Sequence, residues 1–249
     1  MNEFYVGYLP KAPASISRRI RAVVIVLATI SAVGAATFAS VQRTFAPAIF
    51  AYGHPRSFEG TIERNPFPTL VVERPGSGDS GSSRYLLVAE GKHGADEEVS
   101  EFQGKSVRLR GTLIYRGGST MIELLKGSIS EIGPGNASPS STKDLGAFEL
   151  TGEIVDGKCF LGVMNPGSGK VHRDCATLCL SGGVPVLFAT NDFNGRQAVL
   201  ELTDLGGRPL PKPTFLNRVG QPIRLKGAVM EVDDTLVFAI NPASNADLR

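Results

Sequence analysis

The chain has 249 residues, with 26 Lys and Arg against 24 Asp and Glu, 29 Gly, 16 Pro, 3 Cys and no Trp. Its net charge of +2 arises at the N-terminus, where Lys11, Arg18, Arg19 and Arg21 face only Glu3 within residues 1–21, and the rest of the chain sums to −1. This balance argues against a nucleic-acid partner, which a basic face would mark, and the Gly and Pro content favours turns and short strands over long helices.

The first segment, "EFYVGYLP", carries Phe4, Tyr5 and Tyr8. Such rings suit a lipid–water boundary, or the surface of a neighbouring membrane subunit. From Ala22 to Ala39 the chain runs 18 residues without a charge. A bilayer core needs about 20 apolar residues, and about 17 suffice. The expectation is a transmembrane helix over 22–41 preceded by a cytoplasmic tail, 1–21. The arginines on its N-terminal side place that tail inside and the rest of the chain in the periplasm, tethered to the inner membrane. A cleaved signal peptide is the rival reading, although its apolar core is shorter, about 7–15 residues. "SRRIRAV" resembles part of a twin-arginine export signal, but Arg21 stands where that signal has a bulky apolar residue.

Beyond the helix the sequence repeats itself. "GKSVRLRG" (Gly104 to Gly111) and "GQPIRLKG" (Gly220 to Gly227) share Gly, Arg, Leu and Gly at one spacing, and each precedes an apolar strand. Upstream, "FEGTIE" from Phe58 matches "LTGEIVD" from Leu150. Alternation in "VRLRGTLIY" puts Val107, Leu109, Leu113 and Tyr115 on one face and Arg108 and Arg110 on the other. Gly117–Gly118 and Asp233–Asp234 read as hairpin turns. The fold expected is mainly β: the transmembrane helix, then two tandem OB-like small barrels of about five strands each. The first spans 57–133 and the second 148–242. "RPGSGDSGSSR" (Arg74 to Arg84) reads as a flexible loop, and the Gly/Ser/Pro-rich stretch 134–147 as the linker.

The second copy is longer. Gly152 to Gly220 exceeds Gly60 to Gly104 by 24 residues, close to the length of an insertion at 159–183. That insertion contains Cys159, Cys175 and Cys179, every cysteine in the chain, and His172, one of three histidines. "GKVHRDCATLCLSGG" reads as a short helix ending at Gly182–Gly183. His172, Cys175 and Cys179 then lie within about 60° on one stripe, at about 100° per residue. Three readings follow. An exported protein meets oxidising conditions, so Cys159 would pair with Cys175 or Cys179 and leave one thiol over. Alternatively, Cys159, His172, Cys175 and Cys179 form a closed ligand set for zinc, or for copper(I) with Met164 as an extra donor. The third is a cysteine activated by His172 for thiol redox chemistry. Haem attachment would need Cys-x-x-Cys-His, which is absent, and "GSGK" lacks the Gly and Ser/Thr of a P-loop. His54 and His93 read as surface residues.

The string "VDGKCFLGVMNPGSGKVHRDCATLCLSGGVPVLF" resembles a group of bacterial exported or membrane-anchored proteins with an Asp-x-Lys-Cys … His-x-x-Cys-Ala-x-x-Cys segment inside an OB-like domain. The likeness covers roughly Phe148 to Ile240. It implies that Cys159, His172, Cys175 and Cys179 are hallmark positions, and it implies no reaction. With an anchor, an aromatic tail and no catalytic signature, the expected role is a non-catalytic accessory subunit of a membrane-bound assembly, respiratory or redox in kind. Its partners would be the membrane and other membrane-protein subunits. A periplasmic metal-binding protein is the alternative, and a thiol redox enzyme the next.

Overall fold

The computed structural model describes residues 13–41, 46–74, 81–135 and 140–248. The aromatic tail with Phe4, Tyr5 and Tyr8 lies outside them, as do 75–80 of the expected flexible loop and 136–139 of the expected linker.

Helix α1 (Ala14–Val41) begins eight residues before the uncharged run, so Arg18, Arg19 and Arg21 are helical. Its 28 residues span about 42 Å at 1.5 Å each. It is long and apolar enough to cross a membrane, and none of that window is buried in the protein. The hydroxyls of Thr29 and Thr37 donate to the carbonyls of Ile25 and Val33 at 2.9 and 2.8 Å. Such back-bonding satisfies polar groups that a lipid environment leaves without water.

The remainder, 45–249, is a separate unit built mainly of strands. In its first half, β1 (Ala48–Phe50), β2 (Arg56–Glu63), β3 (Thr69–Glu73) and β4 (Ser82–Val88) lead through helix α2 (Asp96–Val99) to β5 (Lys105–Arg116), β6 (Ser119–Leu124) and β7 (Ser130–Pro134). In its second half, β8 (Thr142–Asp156) leads through helix α3 (Arg173–Ser181) to β9 (Val186–Phe193) and β10 (Arg196–Asp204). Helix α4 (Lys212–Phe215), β11 (Pro222–Val232) and β12 (Thr235–Ile240) follow.

The second half closes as a five-stranded barrel. Strand β8 pairs antiparallel with β9 and β9 with β10, then β10 runs parallel to β12, which returns through β11 to β8. In the first half β2, β3, β4, β6 and β5 pair in the same order and sense, and β5 also holds β1 and β7 along its edges. Registers agree as well: Gly60 faces Val107 as Gly152 faces Ile223, and Gly111 faces Leu124 as Gly227 faces Ile240. These recurring glycines have a steric cause. A Cβ at Gly111 would strike the Glu123 carbonyl, and one at Gly227 the Ala239 carbonyl, where neighbouring strands pass closely.

Two cores result. Ile62, Leu70, Leu87, Val107, Leu109, Ile122 and Leu124 fill the first half, and Arg108 and Arg110 are exposed between them as alternation predicts. The second core fills the barrel but also takes in Leu86, Val88, Ile114 and Met121 from the opposite faces of β4, β5 and β6. Strict alternation therefore fails past Gly111, because both faces of those strands are covered. The cover is the cysteine segment: a wide turn, Cys159–Val163, packs on β1, β5 and β6. The segment is therefore more than an appendage, since Phe160 and Leu161 are fully buried and join the two halves. Residues 142–147, at the end of the stretch read as linker, are part of β8 and pair with Ala228–Val232.

Buried charges clamp the same junction. Lys158 Nζ lies 2.6 Å from Glu123 Oε1 and donates to the carbonyls of Ala89 and Gly91 at 2.8 and 2.6 Å. Arg84, buried on β4, pairs with Glu63 at 2.9 Å and Asp233 at 3.5 Å. The latter sits in the Asp233–Asp234 hairpin expected from sequence, with φ +53° at Asp233.

Candidate metal and thiol centre

The site is assembled at the end of β8. Asp156 is completely buried there, and its Oδ1 accepts from the backbone N–H of Cys159 at 2.8 Å. A short acidic side chain suits this task, because it ties down the amide three residues on and shapes the turn. The turn carries the Cys159 sulfur into the core, where it lies 4.0 Å from the Cys179 sulfur. No disulfide joins the three cysteines in this structure.

The second arm is α3. The sequence places His172 on a continuous helical stripe with Cys175 and Cys179; instead it closes a tight turn, Lys170–His172, and stands at the N-cap position of α3 without a side-chain capping bond. It still arrives buried beside the cysteines, and its Nε2 lies 3.1 Å from Asp156 Oδ2. Nε2–H donates to that carboxylate, so Nδ1 is the nitrogen left for another partner. The helix ends at Gly182 with paired bonds from Gly183 N to Leu180 O at 3.2 Å and from Val184 N to Cys179 O at 3.1 Å. Gly183, at φ +94°, takes the left-handed position that this closure demands.

The helix stripe faces inward. Ala176 and Cys179 are buried, and Cys175 is half-buried. The end of α3 abuts the loop before α2: Gly94 N donates to Gly182 O at 3.0 Å, and a Cβ on Gly182 would collide with the Lys92 carbonyl. This close approach brings Lys92 Nζ to 3.1 Å from the Cys175 sulfur. The ammonium pKa is raised above its ordinary value, chiefly by that hydrogen bond.

Cys159, His172 and Cys175 bring one ligand atom each within 4.8 Å of one another, and so do Asp156, Cys159 and Cys179. Of the predicted four, Cys159, His172 and Cys175 form one triplet, while Cys179 joins Cys159 through a second triplet completed by Asp156. Met164, read as an extra copper donor, is 44% exposed at the end of the turn. Within the tight sulfur pair, the Cys159 thiol is pushed up by its hydrogen bond to Cys179, by burial and by the Asp156 carboxylate. The Cys179 thiol is lowered, first by the bond from Cys159, with the positive charge of Lys92 contributing. Either sulfur of the pair can be the donor. Nearby, Glu153 Oε1 accepts from Gly169 N at 2.5 Å, and burial raises its carboxyl.

Three site residues were given no role in the sequence reading: Asp156 and Lys158, which stand in its Asp-x-Lys-Cys motif, and Lys92. The first two lie within the segment singled out there, and an Asp three residues before a Cys is a recognisable turn-capping pattern. The third is brought in only by tertiary packing. No family model, curated protein or solved structure matches this chain.

Proposed function

We propose that the protein is a membrane-tethered metal-binding protein. Cys159, Cys175, Cys179 and His172 hold one soft or borderline ion, zinc or copper(I), outside the cytoplasm. The observation that carries this reading is the convergence of thiols and imidazole around Cys159. Two thiolates at about 2.3 Å from a tetrahedral ion lie roughly 3.8 Å apart, close to the 4.0 Å between Cys159 and Cys179. The Asp156–His172 contact is the arrangement that fixes a metal-binding imidazole in one tautomer.

The architecture fits a display role. Both halves are OB-like barrels, on the strength of their shared strand order and register, and they act as a single rigid mount for the centre. Helix α1 is the anchor, with the arginine-rich end inside and the β unit in the periplasm. In that setting the protein serves as an accessory subunit of a membrane-bound redox assembly. The second reading, a thiol enzyme, draws on one observation: Asp156 orients His172 beside two cysteines, as a general base is oriented beside a nucleophile.

Protein exported natively and purified without reductant or chelator decides between them. One metal ion per chain at full thiol mass, lost on Cys175→Ser, is the expected result. A mass lower by two hydrogens without metal would overturn the metal reading. An unmodified, metal-free protein whose thiol alkylation slows on His172→Gln would favour the enzyme. Migration strictly alone in mild detergent after crosslinking would remove the accessory role.

A further inference from the structure

A second site lies away from the cysteines, between the barrel wall and the first sheet. Along β10, Leu200 and Leu202 point into the barrel and are fully buried. Glu201, between them, points the other way, toward β4 and the β5–β6 hairpin rather than toward solvent. It is 4% exposed and lines a cavity of about 290 Å³ together with Arg84, Leu86, Arg116, Leu187 and Leu236. Among the described residues its carboxyl makes no hydrogen bond or ion pair; only the more distant charges of Arg84 and Asp234 act on it.

An unpaired buried carboxylate costs several kcal/mol, so what faces it matters. Arg84 is already engaged by Glu63 and Asp233. Asp234 accepts from Arg74, Ser83 Oγ and the Arg84 amide at 3.2, 3.0 and 3.1 Å. The guanidinium of Arg116 stacks 4.3 Å above the Phe160 ring. Glu201 is thus a cavity carboxyl with no hydrogen-bonded or ion-paired partner among the described residues, reached only by the more distant charges of Arg84 and Asp234. The walls otherwise offer apolar side chains and the small polar groups of Ser119, Thr120 and Gln197.

We propose that this cavity is a binding site for a small organic cation, a primary ammonium on a short apolar chain, with Glu201 as its counter-ion. The ammonium supplies the donors that Glu201 lacks, and the chain lies against Leu86, Leu187 and Leu236. A free carboxylate ligand would meet repulsion from Glu201, and a metal ion would find one unengaged oxygen donor group. The volume is near the lower end of small-molecule pockets, about 300 Å³, which limits the ligand to a handful of heavy atoms.

The pH dependence follows from the host group. Burial pushes the Glu201 carboxyl up to about 7, with Arg84 opposing and Asp234 adding to the rise. The full-length protein in detergent is titrated calorimetrically with n-butylammonium chloride, and in parallel with n-butanol and sodium butyrate. At about pH 8.5 the amine binds and the other two do not. At about pH 5.5 its affinity falls roughly 30-fold, the ratio of ionised Glu201 at the two pH values. Glu201→Gln abolishes the binding at both. Butylammonium binding no tighter than butanol, or an affinity independent of pH in the wild-type protein, would overturn the proposal. The wild-type pH series decides the matter even if the variant does not fold.

Discussion

Asp156→Asn is the most informative single change at the cysteine centre, because it replaces one oxygen by an amide nitrogen and alters little else. In the native side chain Oδ1 accepts from Cys159 N at 2.8 Å and Oδ2 receives Nε2–H of His172 at 3.1 Å. Asparagine keeps one acceptor. If its oxygen stays on the Cys159 amide, its NH₂ faces His172 Nε2, which must then accept, and the ring proton moves to Nδ1. The nitrogen available to an ion is thereby removed. Loss of a charge-assisted bond costs about 1.5–3 kcal/mol of fold stability, a fall in Tm of roughly 3–12 °C for a unit of this size. The loss of metal affinity is larger in consequence, about 10–100-fold, as for other carboxylate partners of ligating histidines. Competition against a chromophoric zinc chelator measures the second effect and thermal unfolding of the metal-free protein the first. Wild-type affinity in a folded Asp156→Asn protein would refute the assignment of His172 as a ligand oriented by Asp156.

Glu201→Gln stabilises the protein above pH 7. A carboxyl raised from 4.5 to about 7 in the folded state favours folding while it is neutral, and that contribution is lost as pH rises through about 7. Urea unfolding at pH 8.5 registers a gain of about 3 kcal/mol for the variant, and the two proteins converge below pH 4. Lys158→Met strands Glu123 and the carbonyls of Ala89 and Gly91. It costs about 3–5 kcal/mol, read as a fall in Tm on the order of 10 °C. Phe160→Ala leaves a void between the halves and removes the ring beneath Arg116; it costs about 3–5 kcal/mol in chemical denaturation, and hydrogen exchange in β1 and at the distal end of β5 accelerates with it.

The strand plan was legible because it is written in short-range terms. The glycines at 60, 111, 152 and 227 recur because adjacent strands pass too closely for a Cβ, and the hairpins at 117–118 and 233–234 follow from turn chemistry. The apolar run of α1 announces itself by length alone. Glu201 was hidden for a definite reason. Between Leu200 and Leu202, alternation says only that it faces away from the barrel interior, and a solvated strand face has the same pattern. The cover of this face by β4 and the β5–β6 hairpin is a tertiary contact, which no local period encodes. Lys92 was illegible likewise, since its place beside Cys175 rests on the contact between Gly182 and the loop before α2.

Cys159 belongs to both triplets, so under the proposed metal-binding role metal binding and oxidation would compete. Its sulfur lies 4.0 Å from that of Cys179, a separation suited to two ligands of one ion, whereas a disulfide requires about 2.05 Å. Joining the two sulfurs removes two protons and two electrons and withdraws both as ligands, leaving His172 and Cys175 with too few donors for a closed site. An ion bound there would hold both sulfurs as ligands and keep them from closing. Treatment with a thiol oxidant such as diamide therefore releases the metal from the loaded protein only slowly, but blocks loading when it comes first. Cys175 takes no part in that disulfide: it is half-buried beside Lys92, whose Nζ lies 3.1 Å from its sulfur. It is the thiol that remains alkylatable after the pair has closed, and its modification separates the two states by mass.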